Sequence, residues 1–223
     1  MNFLKGKLNS DHPYGLGSGM RMRRHAFFLS LLDSLPGSLS ILDIGGTEIF
    51  WTFLGFSALP QIRITLFNQR RQNVTSPQIA SMVGDATDMK ELQDQSFDII
   101  FSNSVLEHVG GFEAQNRMAK EVMRVGKRFF IQTPNYWFPV EPHFLFPGFQ
   151  WLPVFLRIQL IQHFDLGWHR KTSDPDQARA LIDHNRLLTK QELIILFPQA
   201  KLYEELFLGL VKSFIAYGGW GQS

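Results

Sequence analysis

Three stretches of this chain end an apolar run in small or acidic residues of the kind that hold ligands. In Leu42-Asp43-Ile44-Gly45-Gly46 a carboxylate stands at the tip of the run and a glycine pair turns the chain at once. Glycines there let the backbone approach a bound molecule closely, and the acid can accept hydrogen bonds from a cationic or hydroxylated group. Gly84-Asp85-Ala86 offers a second acid, able to accept from an exocyclic amine. A third run, Phe97-Asp98-Ile99-Ile100-Phe101, ends in Ser102-Asn103-Ser104 and continues into Val105-Leu106-Glu107-His108-Val109. Each stretch alone also fits an ordinary polar turn. A nicotinamide-binding turn needs glycines spaced G-x-G-x-x-G. Gly45-Gly46-Thr47-Glu48-Ile49 does not meet that spacing, which disfavours a dinucleotide oxidoreductase.

A fourth segment, residues 133–143, brings Glu141 and His143 into an apolar stretch. An imidazole, with an ordinary pKa near ~6.5, can take a proton from an acceptor hydroxyl as a new bond forms. Two readings stand here. His143 and Glu141 are the catalytic pair, or His143 caps a loop carbonyl while Glu141 pairs with a nearby cation. His108 is read as a helix cap or packing residue as readily as a chemical one.

The elements that must position these residues are short strands alternating with helices. Strands are predicted over residues 40–44, 62–67, 79–83, 97–102 and 128–133. A helix is predicted over 20–35, stopped by Pro36 and Gly37, and another over 113–125, closed by Gly126 just past its end. Such alternation implies a parallel, doubly wound sheet with right-handed crossovers. In it the strand tips all point to one edge, where ligands bind. Downstream, Asp174-Pro175 reads as a helix start, and Thr189 with Glu192 as a capping box flanked by Leu188 and Leu193. Residues 202–217 read as a hairpin at one side of the sheet. The aromatic-rich run around Phe144, Phe149 and Phe155 is either the core of a small cap or an apolar mouth for an acceptor.

Composition removes several function classes. The 22 basic and 20 acidic side chains leave a formal net charge of +2, too even for a nucleic-acid binder. Arg21, Arg23 and Arg24 read as a solvated helix start rather than an anion site. With no cysteine, disulfides and thiolate metal sites are out, and a reducing, cytoplasmic setting is expected. No metal centre is expected. No apolar run is long enough to span a membrane, although the aromatic run leaves room for a peripheral membrane contact. One domain is expected, with a leader and helix over 1–38, a cofactor-binding core over 39–133, an acceptor lid over 134–188 and a C-terminal helix and strands over 189–223.

Between residues 39 and 133 the sequence resembles the class I S-adenosylmethionine-dependent methyltransferases, in their small-molecule branch. Leu42-Asp43-Ile44-Gly45-Gly46 resembles the first motif of that family, Gly84-Asp85-Ala86 its adenine-contacting motif, and residues 97–109 its fourth-strand motif. The resemblance implies an α/β, Rossmann-like sheet of seven mainly parallel strands with one antiparallel strand near the C-terminus. It implies S-adenosylmethionine as cofactor, with Asp43, Gly45, Gly46, Ser102 and Asn103 at its methionine end, Asn68 at the ribose, and Asp85 and Ala86 at the adenine. Residues 133–143 resemble a segment of a branch associated with sugar, glycan or lipid-precursor modification, so a small-molecule acceptor is implied. Thr47 and Ile49 stand where the family usually has glycine, and Asn68 where it has an acid. An Asn carbonyl accepts a hydrogen bond without the strength that charge adds. The competing expectation is a binding or regulatory module that kept the fold and lost the reaction.

Overall fold

The computed structural model of the protein describes residues 18–221. The expected leader, with Gly15 and Gly17, lies almost wholly outside the described residues. Nine strands are present among them: β1 (Leu39–Ile44), β2 (Ile62–Asn68), β3 (Ile79–Val83), β4 (Ile99–Asn103), β5 (Phe129–Pro134), β6 (Val140–Glu141), β7 (Phe146–Pro147), β8 (Lys201–Phe207) and β9 (Leu210–Gly218). The helices are α1 (Ser18–Leu32), α2 (Glu48–Phe53), α3 (Phe112–Val125), α4 (Val154–His163), α5 (Pro175–Asp183) and α6 (Lys190–Leu196).

Seven of the strands form one sheet in the order β3-β2-β1-β4-β5-β9-β8. Every pairing from β3 through β5 is parallel. Only β9 runs against the rest, antiparallel to both β5 and β8. Strands buried on both faces must be apolar nearly throughout, which is why β1 and β4 read as continuous hydrophobic runs. The strand period then divides the core in two. Ile41, Ile99, Phe101 and Phe130 pack with Phe28 of α1 and Trp51 of α2. Leu42, Ile44, Ile100 and Ile131 pack with Met118 and Val122 of α3 and Leu193 of α6.

The strand and helix ends follow local chemistry. Asp174 Oδ1 accepts from the N–H of Asp176 at 2.9 Å, with Pro175 at the first helical position of α5. At α6, Thr189 Oγ1 accepts from Glu192 N at 3.2 Å, and Glu192 Oε2 accepts from Thr189 N at 2.8 Å, closing the capping box. Helix α1 stops at Leu32, short of the expected residue 35. Gly126 is not in a left-handed cap but extended, with φ −98°. What requires glycine there is space, because a Cβ would overlap the Ile100 side chain between α3 and β4.

The aromatic segment forms a cap with its own small core. Phe144 and Phe149 stack with ring centroids 4.1 Å apart and bury against Ile161, Leu166, Ala178 and Ile182. Trp137, Trp151, Phe155 and Phe164 remain exposed on its outside. The cap reading therefore describes the inner half of the run.

Candidate active site at the carboxyl edge of the sheet

The strand order reverses between β1 and β4, so their carboxyl ends flank the crevice where open α/β sheets take ligands. The register puts Ile44 beside both Phe67 and Ser102, and Asn68 beside Val83. Gly45 follows β1 with φ +78°, and its N–H donates to Phe67 O at 2.9 Å. A side chain at Gly45 would overlap Val105 as well as straining that backbone. Asn68 Nδ2 donates to Gly46 O at 3.0 Å, tying the tip of β2 to the glycine turn. At the next tip Asp85 is exposed, and its Oδ1 accepts from Thr87 N at 2.8 Å and Thr87 Oγ1 at 2.9 Å. Ala86 beside it packs on the core.

Asp43 lies beneath the glycine turn. It is 1 % exposed, Trp51 Nε1 donates to its Oδ2 at 2.6 Å, and a Cβ on Gly46 would overlap its carboxyl group. Burial pushes its pKa up to about 8, opposed by the Trp51 hydrogen bond. Asp43 thus props the glycine turn from beneath. Thr47 caps α2, its hydroxyl accepting from Phe50 N at 3.3 Å. Ser102 is fully buried and its hydroxyl has no hydrogen-bond partner. Asn103 Oδ1 accepts from the Arg24 guanidinium.

Asp43, Asn68, Asp85 and Ser102 therefore share the carboxyl edge of the sheet. None of the four lines either of two cavities, of about 680 and 160 Å3, among the described residues. The larger opens between the cap, α3 and α6, walled by Tyr136, Gln150, Arg157, Arg186 and Glu192, with Glu141 at its border.

Glu141 and His143 are brought together as a hydrogen-bonded pair. Glu141 Oε1 lies 2.7 Å from His143 Nδ1, and Glu141 Oε2 accepts from the N–H groups of His143 at 2.7 Å and Phe144 at 2.6 Å. The carboxylate is buried, and its partner is the neighbouring imidazole rather than a lysine or arginine. Burial alone would lower the His143 pKa, but the hydrogen bond and charge of Glu141, with the charge of Glu107, raise it. His143 packs edge-on against His108 with centroids 4.7 Å apart, and His108 stacks on His184 at 5.2 Å. Burial, then the neighbouring imidazoles, push the His108 pKa down to about 4. Glu107 lies beside them, fully buried, with Thr133 Oγ1 donating to its Oε2 at 3.0 Å. Burial pushes its pKa up to about 7.

Comparison with known proteins places this geometry. Residues 60–129 match the methyltransferase domain family. Two uncharacterized proteins of Mycobacterium tuberculosis are 38 % identical over 58 residues, 26 % of this chain and 20 % of theirs. A chain of the Haloferax volcanii complex between the Trm112 methyltransferase activator and a methyltransferase superposes with TM-score 0.53 at 13 % identity, covering 98 % of both chains. An S-adenosylmethionine-dependent methyltransferase of Methanosarcina mazei gives 0.50 at 17 % identity, covering 84 % of this chain and 95 % of its own. The fold is that of a class I S-adenosylmethionine-dependent methyltransferase.

In this methyltransferase fold no helix among the described residues is long and apolar enough to cross a membrane. The expected solvated arginines include one that is neither solvated nor an anion site. Arg24 is paired through two nitrogens with Glu205, at 2.9 and 2.7 Å, and reaches across to Asn103 at the carboxyl end of β4. Sequence reasoning also missed Trp51, Thr133 and the depth of Glu107. The available signal for Glu107 was an acid set between Leu106 and His108 directly after a buried strand.

Proposed function

We propose that this chain transfers the methyl group of S-adenosylmethionine to a small polar acceptor of the sugar or glycan-precursor type. The observation that carries the reading is the strand order, with β9 alone antiparallel and a glycine turn at the switch point between β1 and β4. The family match over residues 60–129 covers β2 to β4 and α3, next to β1 and its glycine turn. The donor set fits the cofactor in part. Main-chain groups of Gly45 and Gly46 and the unpartnered Ser102 hydroxyl suit its methionine end, with Asn103 at the rim. Asn68 keeps its carbonyl for the ribose, Asp85 keeps its second oxygen for the adenine amine, and Ala86 supplies an apolar floor. Asp43 acts through the glycine turn.

Bound there, the sulfonium supplies an electrophilic methyl group and its own leaving thioether, so no acid is needed to release it. The protein's tasks are alignment and exclusion of water. The polar walls of the 680 Å3 cavity, Gln150, Arg157 and Asn185 among them, suit an acceptor rich in hydroxyl or anionic groups. Glu141 fixes His143 at Nδ1, so that Nε2 is the nitrogen left to address an acceptor oxygen. Incubating the protein with methyl-labelled S-adenosylmethionine and a polar metabolite extract should move label into the small-molecule fraction. His143→Ala should cut that turnover by roughly 100-fold while S-adenosylhomocysteine affinity is kept. An equal loss of both would mark His143 as structural.

A second reading, a binding module without catalysis, is favoured by one observation. Trp51 and Gly46 enclose Asp43, which leaves the first motif without an exposed acid. Binding of S-adenosylhomocysteine with no label transferred to any fraction would support it.

A further inference from the structure

The turn after β4 and the cap loop meet at a cluster the methyl-transfer reading does not fully use. Glu107, His108 and His143 each offer one ligand atom, and these atoms lie within 4.8 Å of one another. Two buried atoms of the group, Glu107 Oε1 and His108 Nδ1, have no hydrogen-bond partner. Glu107 is 0 % exposed, and a buried polar atom left unpaired destabilises the fold unless something binds it. Both ends of the cluster are held from behind. Thr133 Oγ1 fixes the other oxygen of Glu107, and Glu141 fixes His143 through Nδ1. A carboxylate on the far nitrogen of an imidazole is the arrangement that orients histidine towards a metal ion.

We propose that Glu107, His108 and His143 form a site for a divalent transition-metal cation. One carboxylate oxygen and two imidazole nitrogens suit Zn2+, Co2+ or Mn2+ better than Mg2+ or Ca2+, which favour oxygen ligands throughout. Three protein ligands leave coordination positions to fill, and an acceptor oxygen is the natural occupant. With Nε2 on the metal, His143 would then serve methyl transfer by holding the ion rather than by taking a proton. Only these last two points rest on the methyl-transfer reading. The sequence expectation of no metal centre weighed thiolates, whereas these ligands are split between positions 107–108 and 143.

The test uses the whole chain, stripped with a chelator and titrated with Co2+ and then Zn2+ by calorimetry and visible absorption. One equivalent should bind, with ligand-field bands for Co2+. Glu107→Gln and His108→Gln should each weaken binding at least on the order of 100-fold, and Glu141→Gln by about 10–100-fold. If Glu107→Gln fails to fold, His108→Gln carries the comparison, since that side chain is only partly buried. S-adenosylhomocysteine affinity, measured on the same samples, should not change, so loss of the metal site and loss of the cofactor reading are told apart. No stoichiometric binding, or binding that survives both substitutions, overturns the site.

Discussion

Asp43 keeps its proton to about pH 8 because burial disfavours the charged form, which outweighs the opposing hydrogen bond from the Trp51 indole. The folded chain therefore holds one more proton than the unfolded chain between the ordinary carboxylate pKa and about 8. The associated stability is fully present below that window and is lost as pH rises through it. Urea denaturation at pH 5 and pH 8 should show stability falling by up to about 1.4 kcal/mol per pH unit from this group. Asp43→Asn should flatten the slope, and an unchanged slope would contradict the assignment. The position of Asp43 at a strand tip was legible in the sequence; its partner was not. The Trp51 ring meets those of Phe28, Phe101 and Phe56, which come from other parts of the chain. Glu141 and His143 were legible as a pair because they lie two residues apart. His108 reaches them only through the cap.

At the scale of elements, what was readable is what is local. The apolar runs located β1 to β5 within one or two residues, and in β1, β4 and β5 burial on both faces is written into consecutive positions. The capping box at Thr189 and Glu192 needs only a four-residue window, and it formed as expected. Thr189→Ala should destabilise the fold by about 1 kcal/mol in thermal or urea unfolding, since it strips the hydroxyl that accepts from Glu192 N. Gly126→Ala tests a feature the sequence did not expose. If Gly126 were a left-handed cap the loss would come from backbone strain. Overlap with Ile100 Cγ1 and the Arg128 carbonyl oxygen instead predicts about 1–3 kcal/mol, not relieved by Ile100→Val, which keeps the overlapping Cγ1. The cap was harder to read, because its core draws on Phe144, Ile161 and Ile182, separated by loops with no regular period.

Across the whole molecule, one ion pair links the start of the described chain to its end. Arg24 on α1 meets Glu205 on β8, 181 residues away, and Ser213 Oγ of β9 donates to the same carboxylate at 2.6 Å. The Arg24 and Glu205 side chains are 14 % and 4 % exposed, so Arg24→Ala would strand a buried charge. We expect a loss of about 3–5 kcal/mol in urea unfolding, much of it recovered when Glu205→Leu is added. No window of sequence joins those residues; only the sheet order does, by setting β8 and β9 beside β5. The same order sets the tips of β1, β2 and β4 side by side, and the central claim is that this edge binds S-adenosylmethionine. Calorimetric titration of the whole chain with S-adenosylhomocysteine, S-adenosylmethionine and NADH tests it most directly. One equivalent of either sulfur compound should bind, with no heat from NADH. Binding of NADH, or of none of the three, would contradict it.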